Sequence, residues 1–274
     1  MSDPGRPGDE PGLSVVVPAY NEEEVLSSTL ERIHAYLSAR GGSFEVLPID
    51  DGSRDGTSRI ARAFAEAHPE CRPLRNETNR GKGYTVRRGI EEARGEFVLF
   101  SDADLSTPID EAEKLLAELE RGIDLSIGSR DLPGSDVRVR QPWYRETMGR
   151  IFNRIVRLLV LPGFADTQCG FKAFRRSAVL PLLPLLRIDR YSFDVEILFV
   201  ARRLGLEVRE VPVVWVNRTD TRVDPLRDAF RMLVDLLRIR YYDWSGCYQK
   251  RGEGFAPAGR RTDRSSARPD EERE

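Results

Sequence analysis

The chain has 274 residues, with 43 Lys and Arg, 45 Asp and Glu and 2 His, for a formal net charge of −2. That length suits one large domain or two small ones, and 40% hydrophobic beside 32% charged residues is ordinary for a globular protein. The near-neutral charge gives no global field to attract nucleic acid, and no apolar run approaches the ~20 residues needed to span a bilayer.

Residues 1–11 and 250–274 are dominated by Pro, Gly, Ser and charge, which predicts disordered tails. They flank a domain over 12–223 and a helix over 224–245. No basic and apolar leader opens the chain, so a cytoplasmic location is expected. Residues 13–17 form a β-branched run stopped by Pro18, and 22–40 carry Val25, Leu26, Leu30, Ile33 and Leu37 at helical spacing. A second strand over 44–49 ends in Asp50-Asp51-Gly52-Ser53. Helices follow over 55–68 and 84–93, a third strand over 97–100, a helix over 109–121 and a fourth strand over 125–127. The second half predicts helices over 143–161 and 193–204, an apolar stretch over 179–186 and a strand over 208–216. Last comes an amphipathic helix over 225–241 with Leu226, Phe230, Leu233, Leu237 and Tyr241 on one face.

Strands separated by single helices imply βαβ units, an α/β fold and a mostly parallel sheet. In such sheets ligands bind outside the carboxyl ends of the strands. Four polar clusters lie at such ends: Pro18-Ala19-Tyr20-Asn21-Glu22, Asp50-Asp51, Asp102-Ala103-Asp104 and Gly128-Ser129-Arg130. Asp102 and Asp104 are two apart in an extended segment, so their side chains share a side and repel unless a cation joins them. Oxygen donors of this kind suit Mg²⁺ or Mn²⁺ completed by a substrate's phosphates. Asn79-Arg80-Gly81-Lys82-Gly83 is not a P-loop, because neither the glycine spacing nor a following Ser/Thr is present. No G-x-G-x-x-G follows the first strand, which argues against a dinucleotide site. Cys169 has no histidine beside it and reads as a small buried residue; Cys71, Cys169 and Cys247 form no C-x-x-C motif.

These residues resemble the family-2 glycosyltransferases of the GT-A fold. The resemblance rests on residues 14–22, Asp50-Asp51-Gly52-Ser53, the 79–83 segment and Asp102-Ala103-Asp104. Asp166-Thr167-Gln168-Cys169-Gly170-Phe171-Lys172 and Phe193-Asp194-Val195-Glu196 are similar to the dolichyl-phosphate β-glucosyltransferase and polyprenyl-phosphate mannosyltransferase branch. The resemblance spans about residues 13–244 and implies a single Rossmann-like domain. It implies that Pro18, Tyr20, Glu22 and Asp51 hold the nucleoside, and that Lys82 sits near the nucleotide. Ala19, Asp50 and Ala103 complete this set. Asp102 and Asp104 would hold the diphosphate through Mg²⁺ or Mn²⁺, Arg130 and Arg145 would face phosphates, and Asp166, Gln168 and Asp194 would line the sugar end. Ser106 stands where some relatives place a glutamine metal ligand.

The expected chemistry is inverting transfer of a hexose, glucose first and mannose second, from a nucleotide-diphosphate sugar to polyprenyl phosphate. A phosphate monoester is already largely anionic near pH 7, with a second pKa of ~6, so no general base is required. Cationic groups must bring two phosphates together, a task for Arg130, Arg145, Arg218 and Arg222. The C-terminal helix is expected to lie on a membrane surface, with packing on the protein's own core as the plain alternative. A soluble phosphorylated acceptor, or a silent nucleotide-binding module, are the rival readings.

Overall fold

In a computed structural model, which describes residues 10–139, 143–217 and 225–249 (side chains of 143–146 and 225–229 excepted), the chain folds around one central sheet. β1 (Leu13–Ala19), β2 (Phe44–Asp50), β3 (Leu74–Arg75), β4 (Phe97–Ser101), β5 (Leu125–Ser129), β7 (Phe171–Arg175) and β8 (Val208–Pro212) form it in the order β3-β2-β1-β4-β7-β5-β8. All neighbours are parallel except β7, which runs against both β4 and β5. A two-stranded sheet pairs β6 (Asp136–Arg138) with β9 (Val214–Val216).

Alternation along β1 shows why helices cover both faces. Val15 and Val17 pack into one core with Leu26, Leu30 and Ile33 of α1 (Leu26–Arg40), Ala61 of α2 (Thr57–Ala67) and Leu115 of α4 (Ala112–Glu120). Val16 points the other way, toward Val86 and Ile90 of α3 (Lys82–Glu92), Val156 of α5 (Trp143–Leu159), Val195 of α7 (Phe193–Arg203) and Leu236 of α8 (Pro225–Trp244). Short helical pieces, α6 (Arg176–Val179) and a 3₁₀ segment Leu180–Leu185, fill the expected apolar stretch, whose Pro181 and Pro184 prevent a regular helix.

The expected α/β class, mostly parallel sheet and C-terminal helix are all present. Two strands differ from expectation. The single strand over 208–216 is divided after Pro212, which lacks an N–H and ends β8; β9 then leaves the main sheet for β6. β7 was not anticipated. The expected tails fall outside the described residues, apart from the few at 10–11. Among the described residues no helix is long and apolar enough to cross a membrane.

The amphipathic helix resolves into two faces. Leu236 and Ile239 are fully buried against the core, and Leu233 packs partly against it. Phe230, Leu237, Tyr241 and Trp244 are 70%, 62%, 60% and 85% exposed. Spaced 7, 4 and 3 apart, these four share one stripe at 3.6 residues per turn. α8 therefore packs on the core and still shows an apolar face outward. Leu226 falls among the side chains not described.

Candidate active site

β1, β2, β4 and β5 point the same way, so their carboxyl ends meet on one edge. β7 is antiparallel, and it is therefore the segment before it, residues 166–170, that arrives there. Ser101 is in register with Phe171, and one step further the Asp102 N–H donates to the Gly170 carbonyl at 3.1 Å. A Cβ on Gly170 would overlap the Asp102 carboxylate. Glycine is what lets the antiparallel chain lie flat against this acid.

Lys82 opens α3, and its Nζ lies 2.6 Å from Asp102 Oδ1. The turn before it is built from Asp51, whose Oδ1 accepts from Asn76 Nδ2 at 2.7 Å and the Arg80 N–H at 2.9 Å, while Oδ2 accepts from the Gly81 N–H at 2.8 Å. Gly81 has φ +103 and lies so close to the Asp189 carbonyl that no side chain would fit. Asp104 is set by its own turn: Oδ1 accepts the Ser106 N–H at 2.9 Å and Oδ2 the Ser106 O–H at 2.8 Å. Ser106 thus orients Asp104.

Beneath this surface lies Asp194, 4% exposed, whose Oδ1 is 2.5 Å from Nζ of the fully buried Lys172. Lys172 also donates to the Cys169 carbonyl at 2.5 Å. Burial pushes the Asp102 carboxyl up against the pull of Lys82, and the negative charges of Asp104 and Asp194 push the same way. Burial disfavours charge on Lys82, but Asp102 and Asp194 outweigh it and raise the ammonium's pKa. Three acids thus crowd two lysines.

Two half-buried carboxylates at a strand end, short of positive charge, are an oxygen donor set that fits a hard divalent cation drawing its other ligands from phosphates. Among the described residues no group of three or more His, Cys, Asp or Glu forms a complete cage.

Arg130, just past β5, grips Asp166 with both arms: Nε to Oδ2 at 2.6 Å and a terminal nitrogen to Oδ1 at 2.9 Å. Burial opposes ionisation of Asp166, but Arg130 overrides it and holds the carboxyl below its usual range. Glu210 of β8 fixes the pair from below by accepting the N–H groups of Ala165 and Asp166 at 2.8 and 2.9 Å. The Arg130 guanidinium also lies over the Trp215 ring at 5.4 Å. Cys169 is buried and its thiol is pushed up to about 11 by that burial, which suits a packing residue.

The other expected site residues lie around this edge. Asp50 and Asp51 are 2% and 3% exposed, and their carboxylates shape turns: Asp50 Oδ1 accepts the Ser53 N–H at 2.8 Å. Asp194 likewise lies under the site, as the buried partner of Lys172. All three hold neighbouring groups in place. Pro18 and Ala19 end β1, Tyr20 is exposed, and the Glu22 N–H donates to Thr57 Oγ1 at 2.8 Å, lacing the first two loops together. The Ala103 carbonyl accepts the Thr29 O–H at 2.6 Å. Gln168 is half-buried, and its N–H donates to Asp166 Oδ1 at 3.0 Å. Arg145 is in the first turn of α5 with its side chain outside the description, and Arg218 and Arg222 lie outside the described residues. Lys172, Gly170, Glu210, Asn76 and Trp215 are structural members of the site that the sequence reading did not assign.

The model of the family "Glycosyl transferase family 2" matches residues 14–182. A dolichyl-phosphate β-glucosyltransferase of Dictyostelium discoideum is 37% identical over 249 residues, 86% of this chain and 76% of its own length. The one of Homo sapiens is 33% identical over 254 residues, 86% and 77% respectively. Among solved structures, glucosyl-3-phosphoglycerate synthase from Mycobacterium tuberculosis, in complex with Mn²⁺, UDP and glucosyl-3-phosphoglycerate, superposes with a TM-score of 0.65 at 23% identity, covering 84% of this chain and 80% of that one. Mannosyl-3-phosphoglycerate synthase from Rubrobacter xylanophilus gives 0.64 at 22% identity, covering 90% and 79%. At such identities the likeness is one of fold. With the family model and the curated relatives, it leads to one conclusion: the chain is a glycosyltransferase of the GT-A fold and belongs to glycosyl transferase family 2.

Proposed function

We propose that the protein transfers a hexose from a nucleotide-diphosphate sugar to polyprenyl phosphate with inversion, glucose from UDP-glucose before mannose from GDP-mannose. The observation that carries this reading is the cluster of Asp102, Asp104 and Lys82 on the sheet edge. Asp102 and Asp104 would hold Mg²⁺ or Mn²⁺, which when bound neutralises charge on the departing diphosphate. Lys82, already charged beside Asp102, is placed to meet a phosphate oxygen. Arg130, fixed by Asp166, keeps donors for a phosphate oxygen. Asp194 is taken up by Lys172, and Asp166 is ion-paired with Arg130, which holds its carboxyl below the usual range and makes it a poor proton acceptor. A phosphate acceptor needs none, being itself the anionic nucleophile, and its direct attack on the anomeric carbon inverts that centre. The names of the curated relatives support the lipid acceptor and the glucosyl donor.

The test is incubation with polyprenyl phosphate and a panel of nucleotide sugars, with and without chelator, and mass spectrometry of the lipid fraction. A hexosyl-phosphoryl lipid formed best from UDP-glucose, lost with chelator and restored by Mn²⁺ or Mg²⁺, is expected. Transfer only to a small water-soluble phosphate would replace this acceptor assignment, and chelator-independent turnover would remove the metal.

The acceptor places the enzyme at a membrane surface. α8 with its outward stripe packs beside α5, which exposes Ile151 and Leu158, and the two helices carry the exposed Arg154, Arg157, Arg231, Arg238 and Arg240. Apolar and aromatic groups edged by arginine suit an anionic lipid interface. In flotation with vesicles containing phosphatidylglycerol, the protein is expected to rise with the lipid, and Leu237→Asp with Trp244→Ala to leave most of it at the bottom. Wild-type protein that stays at the bottom with these vesicles rules out this surface.

A further inference from the structure

A cavity of about 510 Å³ opens between α8 and the loop leading into α7. Ligand sites commonly measure ~300–1,000 Å³. Four arginines line it, Arg187, Arg190, Arg231 and Arg238, against Asp189 and Asp235. Both acids have cationic partners: Asp189 pairs with Arg87 of α3 at 2.9 Å, and Asp235 with Arg238 at 3.0 Å. The surplus is positive, and Arg187 and Arg190 are exposed on the rim. The remaining lining is apolar and includes Ile188, Val234, Tyr242 and Phe230, the last of which begins the outward stripe of α8. A positive rim opening onto an apolar track suits a molecule with an anionic head and a hydrocarbon tail.

The rim is held from two sides. Fully buried Glu196 accepts the Arg187 N–H at 2.9 Å, the Ile188 N–H at 2.8 Å and the Tyr248 O–H at 2.7 Å, which ties the loop to the chain just after α8. Burial raises the Glu196 carboxyl, and the three donors counter it. On the other side, the Asp189 carbonyl accepts the Tyr84 N–H at 3.1 Å and lies against Gly81. The rim is therefore wedged onto the turn that carries Lys82. A headgroup held there lies on the loop that packs against the turn carrying Lys82.

We infer that this cavity receives the lipid acceptor, its phosphate on Arg187 and Arg190 and its first isoprene units over Ile188, Phe230 and Tyr242. The name of the occupant rests on the proposed acceptor; the preference for a phosphate-headed amphiphile rests on the lining itself. Farnesyl phosphate, inorganic phosphate and farnesol distinguish the sources of that chemistry, measured by calorimetry without nucleotide or metal. Farnesyl phosphate is expected to bind saturably and about tenfold or more tighter than either fragment. Arg187→Gln with Arg190→Gln is expected to weaken it about tenfold, the scale of losing charge-assisted contacts at an exposed rim. Arg190→Glu is expected to weaken it further. In turnover the double variant should raise KM for lipid phosphate by a similar factor and leave kcat and KM for the nucleotide sugar within about twofold. Both positions are exposed, so an unchanged melting temperature verifies folding. Equal farnesyl phosphate affinity in wild type and folded variants overturns the cavity as acceptor seat and leaves the transferase reading intact. So does inorganic phosphate binding as tightly as farnesyl phosphate. Weakened binding with no hexosyl lipid formed by the wild type keeps the cavity assignment and overturns the proposed reaction.

Discussion

Asp104→Ala is expected to reduce hexosyl transfer about 10³-fold or more while the fold survives. Stabilising charge on a leaving diphosphate is worth several kcal/mol, and each 1.36 kcal/mol is a tenfold change in rate. Asp104 is half-buried on a turn, and its protein partners are the Ser106 N–H and O–H. Losing them costs about 1–2 kcal/mol of stability, little for a domain of this size. Turnover measured beside thermal melting separates the two effects. A folded variant that keeps a tenth of wild-type activity would mean that Asp104 does not hold the reacting phosphates. Gly170→Ala extends the same logic without touching a charged group. The added methyl would displace the Asp102 carboxylate from Lys82, and the short acid side chain can swing aside at small energetic cost. The expected pattern is again a large loss of turnover with a small loss of stability.

The sheet edge was legible in the sequence because parallel strands fix where their carboxyl ends meet. Four clusters found at predicted strand ends, at Pro18, Asp50, Asp102 and Gly128, share one edge in the structure. β7 was not legible, and the reason is Lys172. In Phe171-Lys172-Ala173-Phe174 a lysine interrupts the apolar run, although all four residues are fully buried. An interior lysine is tolerable only with a partner, and Asp194 lies 22 residues further on, where no local pattern connects them. The same limit applies to Asp51. Its place after a strand marks it for the site, but its hold on Asn76, Arg80 and Gly81 is a turn contact that no local pattern reveals. Glu210 was hidden within a strand pattern, where a half-buried acid reads as an edge residue until its acceptance of two N–H groups is seen. The two faces of α8 were hidden for a different reason: periodicity shows an apolar stripe but not which of two apolar stripes meets the core.

Lys172→Met is expected to destabilise the protein by about 3–5 kcal/mol, because it leaves the Asp194 carboxylate buried with no partner. Lys172 is fully buried, Asp194 is 4% exposed and their charged atoms are 2.5 Å apart. For a domain of this size each kcal/mol shifts the melting temperature by roughly 2–4 °C, so a drop of about 6–20 °C should be seen at neutral pH. Lys172→Met with Asp194→Leu removes both charges and should recover most of the melting temperature, since well-packed apolar pairs often replace buried ion pairs at no net cost. The double variant should nevertheless stay impaired in turnover, because Asp194 helps keep Lys82 charged beside Asp102. A single variant that melts within 2 °C of wild type would contradict the account of a buried ion pair supporting the site. A double variant as active as wild type would restrict Asp194 and Lys172 to the core, leaving Asp102 and Lys82 to maintain their own pairing.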